Sequence, residues 1–493
     1  MTVLAHQTDT LTRDALAVLQ PGFEGTTAPA WLLRRVGEGL TAVGLFGRNI
    51  TSPEQLAALT AQLRAERDDV LVAIDEEGGD VTRLEVRGGS SFPGNLALGA
   101  VDDTGLTRDV ARELGRRLAE CGVNLNWAPS ADVNSNPDNP VIGVRSFGAD
   151  THLAARHTAA YVEGLQAAGV AACTKHFPGH GDTSVDSHHA LPRIDVDLDT
   201  LQARELVPFR AAIAAGTKAV MSAHILVPAL DPTRPATLSP QILTGLLRKE
   251  LGYEGLIVTD GMEMNAIAGT YGIERGSVLA IAAGADAICV GGGLADEATV
   301  LRLRDALVAA VREGTLPEER LADAAARVRE LAAWTRRARP DARPEGSRAS
   351  GIGLTAARRA LAVTGAPRPL SAPYVATLTP VANIAVGDET PWGVAEELAA
   401  LVPATASGRY PQGSTAKHVL AAAGDRTVVA VVRDAHRHAW MAEAVDALVA
   451  ARPDTVVVEM GLPRAEPRGA LHIATHGASR VCGRAAAEVI AGV

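Results

Sequence analysis

The chain has 493 residues, of which 47% are hydrophobic and 21% are charged, and its formal charge is −10 at pH 7. This length exceeds one ordinary hydrophobic core and predicts two or three domains. The negative charge, with no basic block to reverse it locally, argues against a nucleic-acid partner.

The N-terminus and the cysteines indicate the cellular setting. No basic region followed by an apolar run begins the sequence, and no stretch is long and apolar enough to span a bilayer, so we expect a cytoplasmic protein with no membrane partner. The cysteines are far apart and form no C-x-x-C pair, which predicts buried thiols rather than disulfides or zinc ligands. They are Cys121, Cys173, Cys289 and Cys482.

Short apolar strands alternate with amphipathic helical segments from residue 15 to about residue 291. One helix is predicted to begin after Ser52, which can cap it, with Pro53 in its first turn. Polar residues follow the strands, and several strands are continuous apolar runs, which favours an α/β fold of the (β/α)8 TIM-barrel type. An open doubly wound sheet is the alternative, but no G-x-G-x-x-G follows the first strand. The eight predicted strands are 15–19, 42–46, 70–74, 123–128, 170–174, 219–223, 255–259 and 285–290.

A polar, proline-broken stretch at 339–350 is predicted to be a linker. It separates a catalytic barrel domain over 1–338 from a smaller α/β layered domain over 351–493. In the second domain we predict strands that alternate with helices, among them 374–378, 427–432 and 455–458. Its polar candidates are scattered and are interpreted as loop and surface residues: Asp434, His436, His438, Glu459 and His476.

The stretch 175–189 is the most informative part of the sequence. It follows the strand predicted at 170–174, breaks at Pro178-Gly179, and contains four of the thirteen histidines. Histidine has an unperturbed pKa near neutrality, so this cluster predicts proton transfer or metal binding. The alternative is a packed polar loop whose histidines cap nearby backbone. The polar residues of the stretch are Lys175, His176, His180, Asp182, Asp186, His188 and His189.

Asp260 stands alone at the end of the apolar strand 255–259. A charged carboxylate at a buried strand end needs partners or a chemical role, because burying an unpaired charge is costly. Retaining glycoside hydrolysis uses such a carboxylate as the nucleophile, opposite a proton donor. The alternative is that Asp260 caps a helix after Gly261.

Several blocks of sequence occur in one characteristic order: 75–79, 92–95, 139–143 with 145–148, 175–181 with 186–188, 221–224 and 259–260. In this order they resemble glycoside hydrolase family 3, in its bacterial β-N-acetylglucosaminidase (β-N-acetylhexosaminidase) branch, which includes enzymes of cell-wall recycling. The resemblance covers most of 15–295 and extends only loosely to the second domain. It implies a TIM barrel that hydrolyses glycosides of N-acetylglucosamine, or muropeptide fragments, without a cofactor or metal.

The resemblance also implies the roles of individual residues. Asp260 would be the nucleophile that forms a covalent glycosyl–enzyme intermediate, His188 the general acid/base and Asp186 its partner. A histidine donor works near neutral pH without the raised pKa that a carboxylic acid needs, and a carboxylate can orient its ring. The positions implied to bind the first sugar are Asp75, Arg83, Arg145, Lys175 and His176.

Two positions depart from the family pattern. Glu76 stands where the family often has Gln, and Asp80 stands where it often has Arg. The departures reduce the positive or neutral donors near the site. What lies beyond the first sugar, and so the preferred aglycone, is therefore left open.

Three other functions remain alternatives. Phosphorolysis of the same glycosides is compatible with a histidine donor, because a neutral or positive group does not repel phosphate. A metal-dependent hydrolase would use His180, Asp182, His188 and His189, but their spacing gives no consistent open three-ligand set. A catalytically inactive carbohydrate-binding barrel is disfavoured by Asp260 and the Asp186–His188 pair.

Overall fold

The computed structural model describes residues 2–187, 191–339, 351–381, 386–387 and 389–493. They form two compact units that interleave along the chain. The first unit lies within 1–76, 107–140 and 149–347, and the second unit lies within 77–106, 141–148 and 348–493. The domain boundaries at 338 and 351 stay a prediction, and most of the predicted linker falls outside the described residues.

Parallel strands form the centre of the first unit. In the order of the chain, β2 to β7 make one parallel sheet, while β1 pairs in parallel with β8. A further parallel bridge joins Val258 in β7 to Ala287, directly before β8. The strands are β1 (Leu19–Pro21), β2 (Ala42–Leu45), β3 (Leu71–Ile74), β4 (Leu125–Asn126), β5 (Ala171–Phe177), β6 (Ala219–Ser222), β7 (Leu256–Thr259) and β8 (Ile288–Val290).

Helices connect the strands of both units. Helix α3 begins as predicted, since Ser52 accepts a hydrogen bond from the backbone of Gln55 and Pro53 lies in the first turn. Within the described residues, no helix combines the length and apolar character needed to cross a membrane. The helices are α1 (Thr2–Ala17), α2 (Ala30–Glu38), α3 (Pro53–Glu66), α4 (Asn95–Val101), α5 (Thr104–Glu120), α6 (Thr151–Ala167), α7 (Leu198–Thr200), α8 (Leu206–Ala214), α9 (Asn265–Tyr271), α10 (Ile273–Ala283), α11 (Glu297–Arg312), α12 (Glu318–Ala338), α13 (Ile352–Ala360), α14 (Ala395–Leu401), α15 (Ala416–Ala423), α16 (Ala439–Ala451) and α17 (Arg480–Ala491), with π-helical segments at Leu201–Glu205 and Gln241–Glu250.

One buried cluster fills the inside of the first unit's sheet. It takes Ala42 from β2, Cys289 from β8, side chains from each strand between them, and Val328 of α12. Because strands from opposite ends of the order share one cluster, the parallel sheet is curled into a half-barrel. The predicted α/β fold with a parallel sheet is therefore confirmed. All four cysteines of the chain are buried free thiols, as predicted.

Two strand predictions are corrected by the structure. The strand predicted at 15–19 is wrong, because α1 continues to Ala17 and β1 begins at Leu19, which pairs with Ile288. A short apolar run fits a buried helix as well as a buried strand. The fifth strand does not end before Lys175 but extends to Phe177, because backbone hydrogen bonds with Pro129 and Ala131 continue its pairing.

The second unit contains a sheet in the order β11-β10-β12-β13-β14-β9, parallel except for β9. Val429 and Val431 pack with helices α14 and α17 on one face, whereas Ala430 and Val432 pack with α15 and α16 on the other. The three strands predicted here correspond to β10, β12 and β13. The polar strand β11 was not predicted because it lacks an apolar run. The strands are β9 (Ala362–Gly365), β10 (Tyr374–Thr379), β11 (Ala406–Pro411), β12 (Val428–Val432), β13 (Val456–Glu459) and β14 (Leu471–Ala474).

A buried ion pair joins distant parts of the sequence within the second unit. Asp80, one of the two departures from the family pattern, lies 2.5 Å from the guanidinium of Arg433, which follows β12. Its other oxygen accepts the backbone N–H of Ala478 at 2.7 Å. Burial raises the pKa of Asp80 in spite of the neighbouring Arg433 charge. The pair therefore helps to explain why residues 77–106 belong to the second unit.

The prediction that Glu459 is a surface residue is wrong. Its carboxylate is buried at the end of β13 and accepts backbone N–H groups of Asp434, Ala435 and Gly461. Burial, together with the nearby Asp434, raises the pKa of Glu459 to about 7. The carboxylate thus joins the ends of two neighbouring strands, β12 and β13.

Asp286 provides a comparable anchor at the amino-terminal end of β8 in the first unit. It is completely buried and accepts the backbone N–H of Ile257 at 2.9 Å. It also forms ion pairs with Arg248 and, at 2.6 Å, with Arg320. Two arginines from different elements therefore share one buried carboxylate.

We expect Asp286→Ala to lower the free energy of unfolding by about 3 to 5 kcal/mol, because two arginines lose their buried partner. Urea denaturation followed by circular dichroism measures the change. The matched control is Asp305→Ala, which removes an exposed pair with Arg304 and should cost about 1 kcal/mol or less. Equal effects of the two substitutions would contradict the structural role of Asp286.

Candidate active site

Charged side chains gather at the carboxyl edge of the first unit's sheet. Asp75 directly follows β3, Lys175 and His176 lie near the end of β5, and Asp260 directly follows β7. The carboxyl ends of parallel strands share one edge, where active sites of this fold class lie. Asp75, Lys175 and Asp260 also all act on the pKa of the buried Cys173 thiol, which burial raises. The structure thus brings together three residues predicted from distant parts of the sequence.

Lys175 and Asp75 form an ion pair at this edge. The Lys175 ammonium lies 2.5 Å from Asp75 Oδ1, and its side chain is 2% exposed whereas that of Asp75 is 26% exposed. A buried ammonium is costly unless a carboxylate pairs with it. Asp75 therefore stabilises Lys175, and its partial exposure leaves it accessible to hydroxyl groups of a ligand.

Asp132, on the segment after β4, is a buried residue that sequence reasoning missed. It lies 2.7 Å from Nδ1 of His176 and accepts the backbone N–H of His180 at 2.7 Å. Burial opposes its ionisation, but His176 and His180 hold the pKa of Asp132 below its ordinary value. An ionised Asp132 makes Nδ1 of His176 the donor and so fixes the ring orientation. The available signal was its position after a short buried strand, like that of Asp75 and Asp260.

His180 is a buried histidine on the loop after β5. Its Nδ1 lies 3.0 Å from Oγ1 of Thr183, and its Nε2 lies 3.3 Å from Oγ of Ser187. Burial and the neighbouring His176 lower the pKa of His180 to about 4. The ring is therefore neutral near neutral pH, and its contacts brace the loop from within.

Asp260 is half-buried and tightly held by its surroundings. Its backbone N–H donates to the Ser222 carbonyl at 3.1 Å, and its Oδ1 accepts the N–H of Gly261 at 2.8 Å. His224 Nε2 donates to the Gly261 carbonyl at 3.0 Å, so His224 supports the backbone beside Asp260. The alternative that Asp260 caps a helix is wrong, because α9 begins only at Asn265.

The predicted acid/base pair is only partly within the described residues. Asp186 is buried in the segment that follows β5. His188 and His189 lie outside the described residues, so the Asp186–His188 pair stays a prediction. Among the residues that the structure does describe, no three His, Cys, Asp or Glu side chains gather into a group able to hold a metal ion.

Arg83 and Arg145 belong to the second unit. Nε and Nη2 of Arg145 donate to the two carboxylate oxygens of Glu77, at 3.0 and 2.7 Å, and its Nη1 donates to the Val141 carbonyl at 3.0 Å. Such a bidentate pair fixes the plane of the guanidinium. Arg83 is half-buried. The sugar-binding roles of both arginines stay predictions.

Comparison with known proteins identifies the family. The family model described as the Glycosyl hydrolase family 3 N terminal domain matches residues 32–331. Beta-hexosaminidase A of Pseudoalteromonas piscicida is 38% identical over 312 residues, which cover 58% of this chain and 52% of that protein. A beta-hexosaminidase of Neisseria gonorrhoeae is 36% identical over 265 residues, which cover 52% of this chain and 73% of that protein.

A solved structure extends the similarity beyond the matched domain. A glycoside hydrolase family 3 β-N-acetylglucosaminidase from Paenibacillus sp. has a TM-score of 0.88 and 35% identity to this chain, covering 98% of this chain and 96% of that one. The chain thus spans about half the length of the Pseudoalteromonas relative and nearly all of the Paenibacillus structure. The charged carboxyl edge lies within the domain that the family model matches. The chain belongs to glycosyl hydrolase family 3.

Proposed function

We propose that this protein is a retaining glycoside hydrolase that removes terminal, non-reducing β-linked N-acetylglucosamine. The observation that carries the proposal is the position of Asp75, Lys175 and Asp260 at the carboxyl edge of one parallel sheet, where Lys175 and Asp75 form an ion pair at 2.5 Å. The names of the relatives, β-hexosaminidases and a β-N-acetylglucosaminidase, support this substrate class.

The proposed reaction has two steps. In the first step Asp260 attacks the anomeric carbon, while His188 gives a proton to the leaving oxygen, so that the glycosidic bond breaks and a glycosyl–Asp260 ester forms. In the second step His188 takes a proton from water, which attacks the ester and releases the sugar with retained configuration. Asp186 would stabilise the imidazolium form of His188.

The sugar would be held by groups of opposite hydrogen-bonding character. Asp75 offers acceptors to sugar hydroxyls, and Lys175 offers donors from an ammonium that Asp75 holds in place. His176 has its ring oriented by Asp132, which supports a fixed contact with the ligand. The family resemblance alone assigns a sugar-binding role to Arg83 and Arg145.

Other features belong to the same proposal. The β1–β8 pairing and the β7–β8 bridge support a closed (β/α)8 barrel. We further propose that the barrel is the catalytic domain over 1–338, followed by an α/β domain over 351–493. A cytoplasmic location and a role in cell-wall recycling, with muropeptide fragments as substrates, complete the proposed function.

We expect Asp260→Ala to lower kcat for an aryl β-N-acetylglucosaminide at least about 1000-fold, because no other group replaces the nucleophile. Release of the phenol measures turnover, and circular dichroism checks that the variant is folded. Asp305→Ala serves as the exposed control and should keep full activity. Near-normal activity of Asp260→Ala would remove the nucleophile assignment.

We expect His188→Ala to lower turnover of a glycoside with a poor leaving group about 100-fold or more. With an activated leaving group, azide should restore turnover, since it attacks the glycosyl–enzyme without general-base assistance. Nuclear magnetic resonance of the product should show a β-glycosyl azide. His189→Ala is the neighbouring control, and an α-glycosyl azide would exclude the two-step mechanism.

We expect turnover to be the same in phosphate and in a phosphate-free buffer of equal ionic strength. Water is the proposed acceptor, so free N-acetylglucosamine should be the sugar product in both buffers. Mass spectrometry identifies the product. A sugar 1-phosphate and a phosphate-dependent rate would establish phosphorolysis instead.

A further inference from the structure

A buried carboxylate that the proposed mechanism does not use lies beneath the loop after β5. Glu205 ends the π-helical segment Leu201–Glu205 and is completely buried. Its Oε1 accepts from Nε of Arg204 at 2.6 Å, while its Oε2 has no hydrogen-bond partner among the described residues. Burial raises the pKa of Glu205 to about 7 against the effect of Arg204, and Asp132 and Asp182 raise it further. Burying a carboxylate with one unpaired oxygen costs stability, so we expect Glu205 to have a function that offsets this cost.

Arg204 connects this carboxylate to the loop. Its Nη2 donates to Oδ2 of Asp182 at 2.6 Å, while its Nε donates to Glu205. The side chain of Arg204 is 26% exposed and that of Asp182 is 30% exposed, whereas Glu205 is fully enclosed. The planar guanidinium thus links a rigid, buried anchor to a partly exposed loop residue with fixed geometry.

The backbone of the loop packs directly on the same anchor. Gly179 has φ of +124°, and a Cβ atom there would come within 2.8 Å of Oε2 of Glu205. The loop is also held by Asp132, which accepts the N–H of His180, and by Asn139, which donates to the His180 carbonyl at 2.9 Å. A Cβ on Gly181 would collide with the Val133 carbonyl at 1.7 Å. The base of the loop is therefore held both by Glu205 and by the segment that contains Asp132, Val133 and Asn139.

We propose that Arg204, anchored by Glu205, is a positioning residue for the general acid of the reaction. By holding Asp182 it would set the course of residues 179–187, which carry Asp186 and lead directly into His188. The inference rests on the proposed function. A proton donor must lie within hydrogen-bond reach of the leaving oxygen. A loosened loop should therefore impair protonation of the leaving group and spare attack by Asp260, which lies on a different strand end.

The test compares two aryl β-N-acetylglucosaminides, one with a 2,4-dinitrophenyl and one with a 4-methoxyphenyl leaving group. The first departs without protonation and the second needs it. For Arg204→Met we expect kcat/KM to fall about 10-fold to 100-fold with 4-methoxyphenyl, and about 2-fold or less with 2,4-dinitrophenyl, whose departure needs no acid. Arg204→Lys, which keeps the charge but loses the fork, should recover part of the loss.

Matched variants separate positioning from general damage to the fold. Arg210 lies on the following helix, α8, where it is exposed and donates a hydrogen bond to the Gln202 carbonyl. The control variant Arg210→Met should therefore leave both rates unchanged. Asp182→Asn breaks the same link from the loop side. It should give the same selective loss even if Arg204→Met does not fold.

The outcomes are distinguishable. An equal loss with both leaving groups, or no loss with either, in an active protein would overturn the positioning role of Arg204. A wild-type protein that cleaves neither glycoside would overturn the proposed function, and this inference with it. A loss confined to the 4-methoxyphenyl glycoside supports the proposal.

Discussion

The interactions of one buried carboxylate, Asp132, underlie the geometry of the candidate site. Its oxygens contact the ring and backbone of His176 and the backbone of His180, so that one side chain fixes the end of β5 and the start of the following loop. This arrangement depends on the parallel sheet, which places the segment after β4 beside β5. At the end of β5, Lys175 pairs with Asp75, which follows β3 on the far side of β4.

Burial raises the pKa of both acids near this edge, and the charges of their partners decide whether the net pKa lies above or below the ordinary value. Asp132 has two histidines beside it, and its pKa is held below the ordinary value. Glu205 has one arginine and two neighbouring carboxylates, and its pKa is raised to about 7. His180, enclosed next to another histidine, is kept neutral near neutral pH. Asp132 is therefore charged near neutral pH while His180 is neutral, so neighbouring ionisable groups can serve different roles.

Sequence reasoning recovered what depends on local pattern. Apolar runs gave β2, β3, β6 and β7 almost to the residue, and the polar residues that follow strands led to Asp75 and Asp260. Asp132 and Arg204 were missed, because their importance comes from partners brought near by the fold. The sequence pattern also did not predict that residues 77–106 and 141–148 belong to the second unit. Periodicity reports which face of an element is buried, but it does not report which distant segment covers that face.

The interleaving of the second unit has a consequence for biosynthesis. Asp80 leaves the ribosome long before Arg433 and Ala478, its partners in the completed unit. Residues 77–106 therefore cannot reach their final packing during synthesis of the first unit, although domains generally fold as units from the N-terminus. Until residues 433 and 478 have been synthesised, Asp80 lacks the partners that it has in the completed unit. Because of the order of translation, residues 77–106 are synthesised well before the partners with which they pack in the second unit.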